Sequence, residues 1–95
     1  MDNVEDKNPF DGYGHTPLHS AARSGHTEIC CLIIENVKDK NPADNWGRGE
    51  TPLHFAASQG HLEICRLIIK NTQDKNPADY QGKTPLQFTY QIWAF

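Results

Sequence analysis

Residues 16–36 read "TPLHSAARSGHTEICCLIIEN", and residues 51–71 read "TPLHFAASQGHLEICRLIIKN". The opening of this segment returns once more from Thr84 as "TPLQFTYQ", so its copies lie 35 and then 33 residues apart. A second motif runs in counterpoint: "NVEDKNPFD" from Asn3, "NVKDKNPAD" from Asn36 and "NTQDKNPAD" from Asn71, at offsets of 33 and then 35. The discrepancy therefore sits inside the middle unit, where "DNWGRGET" from Asp44 carries two residues more than "DGYGHT" or "DYQGKT". Self-similarity at such a period indicates stacked supersecondary units rather than one globular core.

Each feature of the unit has a local cause. Thr16, Thr51 and Thr84 are placed to cap a helix, and Pro17, Pro52 and Pro85 suit its first position, where no backbone N–H is required. The first helix passes through the small pair Ala21-Ala22 or Ala56-Ala57 and should stop near Gly25 or Gly60, residues that accept a left-handed conformation. Glu28 and Glu63 fit the first turn of a second helix. Its Ile29, Leu32 and Ile33, or Ile64, Leu67 and Ile68, have the spacing of one buried face. Asn36 and Asn71 suit the helix exit, Pro42 and Pro77 stop further helix, and the glycines at 14, 47 and 82 supply a tight turn before the next cap.

With these residues in place, the chain closely resembles the ankyrin-repeat family. Asp11, Gly14, "TPLHSAA" and the "GH" before the second helix carry the likeness in the first unit, and the second unit repeats it apart from the insertion. The resemblance implies an all-α repeat solenoid of ankyrin-type helix pairs with short projecting hairpins. Two complete pairs and a partial terminal repeat are expected, as a single domain over 1–95: a partial connector at 1–7, a first repeat at 8–40, a second at 41–75 and a partial or capping repeat at 76–95. It also implies nonenzymatic protein recognition through a concave surface of hairpins and first helices. By the same likeness, the "TPLH" histidine ties a hairpin to its own or a neighbouring repeat, and the histidine after the glycine organises the turn.

Residues with chemical potential fall into the repeat. His19 and His54 are equivalent, as are His26 and His61, and such duplicated placement points to scaffolding; no cofactor or metal is expected. Cys30 and Cys65 repeat within apolar segments and read as small core residues, whereas Cys31, whose counterpart is Arg66, is the thiol expected to face solvent. No base and orienting carboxylate recur beside it, and no phosphate loop is spelled by "GRGET" from Gly47, so no catalytic residues are assigned. Asp11, Asp44 and Asp79 are placed to accept hydrogen bonds from turn N–H groups, and "DKNP" reads as a connector.

Positions that vary between matched units are the candidates for contact with a partner. At the turns these are Tyr13, Trp46, Tyr80 and Gln81, with His15, Arg48 and Lys83 beside them; on the first helices they are Arg23, Ser24, Ser58 and Gln59. Trp46 has two readings, a partner-facing anchor or a ring folded back over a neighbouring turn. The insertion around it likewise either enlarges a binding surface or is a tolerated bulge.

The 95 residues carry a net charge of -3 from 12 acidic and 9 basic side chains in short alternation, which gives no basic footprint for nucleic acid or an acidic membrane. Acidic "MDNVEDKNP" does not read as a signal peptide, and no apolar run reaches the length of a membrane span, so an intracellular location, cytoplasmic or nuclear, is expected. Three cysteines without C-x-x-C spacing fit a reducing compartment. At the C-terminus, Tyr90 stands where Ala22 and Ala57 permit close helix contact, and Phe88, Ile92, Trp93 and Phe95 are apolar. Three readings stay open there: a terminal cap, a fragment or short isoform of a longer array, or a homo-oligomer joined through its ends. Self-association through the solenoid ends is the competing function to recognition of a different protein.

Overall fold

The computed structural model describes residues 14–44 and 47–88, the last of these by its backbone alone. Five helices lie within them: α1 Pro17–Ser24, α2 Thr27–Asn36, α3 Pro52–Ser58, α4 Leu62–Asn71 and α5 Pro85–Phe88. α1 packs on α2 and α3 on α4 as pairs; α1, α3 and α5 stack in one layer, and α2 and α4 in the other. No strand is assigned among the described residues, and the segments before α3 and α5 are hydrogen-bonded turns. The Asp44 amide donates to the Glu50 carbonyl (2.8 Å), the Asp79 amide to the Lys83 carbonyl (2.7 Å), and one turn is joined to the next by the Tyr80 amide donating to the Arg48 carbonyl (2.8 Å).

The helix starts obey the sequence. Thr16 Oγ1 accepts from the His19 amide, while His19 Nδ1 accepts from the Thr16 amide at 3.0 Å; Thr51 and His54 repeat this reciprocal cap. Because Nδ1 is an acceptor, the other ring nitrogen carries the proton: Nε2 donates to the Glu50 carbonyl from His19 (2.8 Å) and to the Lys83 carbonyl from His54 (2.9 Å). One buried imidazole thus caps its own helix and holds the following turn. Gln87 keeps half of this device, its Oε1 accepting from the Thr84 amide at 2.8 Å. "TPLQ" therefore remains a helix start.

The "DKNP" segment does more than connect. Lys40 Nζ donates to the carbonyls of Ile34 and Val37, and Lys75 Nζ to those of Ile69 and Thr72, closing the ends of α2 and α4. Asn41 Oδ1 accepts from the Leu53 amide (3.0 Å) and Asn76 Oδ1 from the Leu86 amide (3.1 Å), supplying acceptors to the first turns of α3 and α5. Asp39 and Asp74 accept from the amides of Asn41 and Asn76 two residues on, which sets the asparagines in place.

Between the layers, Leu18, Ala22, Cys30, Leu53, Ala56, Ala57, Ile64, Cys65 and Ile68 form a core at most 2% exposed. Burial pushes the Cys30 and Cys65 thiols up to about 11, which keeps them protonated and inert at neutral pH. Cys31 is half-buried, its Sγ 3.7 Å from Glu35 Oε2.

Three expectations need correction. The glycine equivalent to Gly14 and Gly82, with positive φ before the capping threonine, is Gly49 (φ 74) and not Gly47. Counting back from Gly49, the described residue equivalent to Gln81 is Arg48, not Trp46 as the sequence alignment placed it. Ile29 and Leu32 are not buried but 48% and 61% exposed. The expectations for Tyr13, Trp46, Tyr90 and the aromatic tail fall outside the described residues, as does the Phe88 side chain.

Candidate functional site

A cleft of about 350 Å³ opens on the layer of first helices, and four segments build its wall. The segment before α1 contributes His15, the end of α1 contributes Arg23, and the turn before α3 contributes Asp44, Gly47, Arg48 and Glu50; α3 and its cap add Phe55, Ser58 and Gln59. His15, Arg23, Arg48, Ser58 and Gln59 were singled out from the sequence, and the fold brings these five together. Ser24, Gln81 and Lys83 are exposed but do not line the cleft. Tyr80 lies over Gly49, where an added Cβ would come within 2.4 Å of its ring, so its contact is with the neighbouring turn although it stays 63% exposed.

Phe55 is the central residue that sequence reasoning missed. Its ring meets His15 edge-on at 5.2 Å and His19 at 5.3 Å, and the Arg23 guanidinium carbon stands 5.9 Å from its centroid. The signal was present, because the residue after the "TPLH" or "TPLQ" motif varies as Ser20, Phe55 and Phe88. Applying the rule of varying positions to that site would have found it.

The electrostatics divide into a fixed pair and an open rim. Asp44 is 2% exposed; its Oδ1 accepts from the Glu50 amide at 2.7 Å, and its Oδ2 accepts from His15 Nε2 at 3.1 Å. His15 is thereby held beside Phe55. Arg23, Arg48 and Glu50 remain on the rim as two positive groups and one negative. In the next turn, burial pushes the Asp79 carboxyl up, but the amides of Lys83 and Gln81, reinforced by the Lys83 charge, outweigh it and hold the group below its ordinary 3.8. The turn carboxylates thus serve the backbone.

Ser58, His15 and Asp44 share this cleft as residue types of a hydrolytic triad, yet Ser58 Oγ donates to the Phe55 carbonyl (3.0 Å) and His15 Nε2 faces the carboxylate. The serine is tied into its own helix. A second depression of about 470 Å³ lies over the connectors, where Asp39, Lys40 and Asn41 are already engaged in closing and starting helices. Among the described residues no group of three or more His, Cys, Asp or Glu is placed to hold a metal ion, and no helix is long and apolar enough to cross a membrane.

No match was found among curated proteins. Residues 18–69, more than half of the chain, match the family model for ankyrin repeats (many copies). Helix pairs stacked in two layers, reciprocal Thr–His caps and this sequence match agree, and the chain belongs to the ankyrin-repeat family, whose members are characteristically non-catalytic protein-binding scaffolds.

Proposed function

We propose that this protein recognises another protein through the cleft centred on Phe55 and the turn tips around it. The observation that carries this reading is a partly exposed aromatic ring, braced by His15 and overlain by Arg23, in a wall made mostly of residues that differ between the units. Aromatic and arginine groups that are ordered before binding lose little further freedom on contact and make effective anchors. Tyr13 and Trp46 extend the proposed surface by their places in the sequence, with Ser24, Tyr80, Gln81 and Lys83 at its rim. The array is read as two complete helix pairs with projecting turns, the repeats spanning 8–40 and 41–75 and a partial one 76–95, acting in the cytoplasm or nucleus.

The test compares wild type with Arg23→Glu and Phe55→Ala in affinity capture from a native extract, followed by titration of each captured partner. Arg23 is exposed, so its charge reversal leaves the fold intact. Loss of about tenfold or more in affinity in both variants is expected. Full affinity in both, with the helical spectrum unchanged, would sink the reading.

A further inference from the structure

The two second helices have nearly the same sequence, "TEICCLIIEN" in α2 and "LEICRLIIKN" in α4, and they are not equally covered. Ile64 and Ile68 of α4 are both 0% exposed, whereas Ile29 of α2, which matches Ile64, is 48% exposed. Leu32 is 61% exposed where Leu67 is partly buried, and Ile33 is only partly buried where Ile68 is sealed. The cause is positional. α4 has α2 packed on one side, and no described helix stands in the corresponding place beside α2. The uncovered stripe therefore has the shape of a surface that elsewhere in this molecule receives a helix.

Its chemistry narrows the occupant. Glu28 and Glu35 lie four residues before and three after Leu32, so both share its side of the helix, and α2 contains no Lys or Arg. In α4, Arg66 stands 3.9 Å from Glu63, and Lys70 replaces the second acid. In α2 those positions are Cys31 and Glu35. The apolar stripe carries acid along one edge, with no base in the same helix to offset it.

We propose that the outer face of α2, Ile29, Leu32 and Ile33 with Glu28 and Glu35 along one edge, docks an amphipathic helix of a partner protein that carries Lys or Arg beside an apolar stripe. This is a second contact surface, on the layer opposite the Phe55 cleft, and it does not depend on that cleft. Apolar burial supplies the attraction, and the acidic edge selects a basic helix over an acidic one. A second copy docking α2 against α2 would instead bring four carboxylates together, which disfavours that arrangement.

The probe is a fluorescein-labelled synthetic helix of about 18 residues, long enough to hold its structure, with leucines at i, i+3, i+4 and i+7 and lysines beside them. A second peptide has glutamates for the lysines. With the full chain, fluorescence anisotropy is expected to show the lysine peptide binding at least about tenfold more tightly than the glutamate peptide, with the gap narrowing as salt rises. The double variant Ile29→Gln, Leu32→Gln should lose at least about tenfold in affinity with its helical spectrum unchanged. Equal binding of the two peptides, or undiminished binding by the double variant, overturns the proposal. So does a concentration-dependent mass in light scattering that Leu32→Gln abolishes, which would make a second copy the occupant. Peptide binding that begins only after residues 1–13 are removed also overturns it, since the chain's own segment would then be the cover.

Discussion

The two helix pairs are near copies in sequence and unlike in environment. α3 packs between α1 and α5, and α4 packs on α3 with α2 beside it, whereas no described helix takes the corresponding place beside α2. Isoleucines spaced as one buried face reach 0% exposure in α4 and 48% at Ile29 in α2. Periodicity states which face is apolar; the neighbouring unit decides whether that face is buried. In a stacked array each unit completes the core of the next, so equal sequences make unequal contributions to stability.

The sharpest way to break this comparison is to truncate matched residues. Ile64→Ala and Ile68→Ala are expected to cost about 2–5 kcal/mol each through lost packing and a residual cavity. Ile29→Ala and Leu32→Ala should stay within about 0.5–1 kcal/mol, because much of each side chain already meets water. Urea denaturation of the four variants measures the contrast. Similar losses in both helices would show that α2 is covered in solution.

The matched glycines offer a smaller contrast. Gly25 and Gly60 both have positive φ, 81 and 73, but a Cβ at Gly25 would meet the His61 ring at 2.8 Å, whereas nothing lies within 4 Å of one at Gly60. His61 Nε2 also donates to the Arg23 carbonyl at 3.1 Å, so displacing its ring loosens the junction between the pairs. Gly60→Ala is expected to cost about 1 kcal/mol from backbone strain alone, and Gly25→Ala about 1–2 kcal/mol more, read as thermal midpoints.

A pH series tests the turn before α5. The Asp79 carboxyl is held below its ordinary 3.8 in the folded chain, so its contribution is fully present above that value and is lost as pH falls through the lower, folded one. Stability of wild type relative to Asp79→Asn should accordingly shrink on acidification below pH 3.8 and hold level above it. A difference that grows toward acid would reverse the sign assigned here.

The smallest effect on the fold belongs to the thiols. Iodoacetamide at neutral pH should modify Cys31 first and leave the helical spectrum unchanged, since Cys30 and Cys65 are buried and their thiols are pushed up to about 11. Peptide mass mapping reads the order. Early modification of Cys65 would place the opening of the molecule at α4.

Much of this was legible in the primary structure because it is local. Thr16 and Thr51 as caps, Pro17 and Pro52 at first positions, the Ala pairs at close helix contacts and Asp44 and Asp79 as turn acceptors depend on neighbours within a few residues, and all are observed. The connectors were read too blandly: "DKNP" supplies a lysine to the helix behind and an asparagine to the helix ahead, and the latter bond spans 12 residues. The cleft was half visible, with His15, Arg23, Arg48, Ser58 and Gln59 named and Phe55 missed, because Phe55 matters through rings brought to it from another helix pair.

The sequence by itself determined the repeat, its helix starts and stops, and the family, since these follow from side chains acting on backbone within reach along the chain. Tertiary structure decided which glycine takes the left-handed turn in the lengthened middle unit, that His19 and His54 each lock the following turn, and that Phe55 lies at the centre of a cleft. It also decided that one of two nearly identical apolar faces is sealed and the other open. Those outcomes depend on what stands beside a residue in space, and in a stacked array the neighbour comes from another unit some 30 residues away.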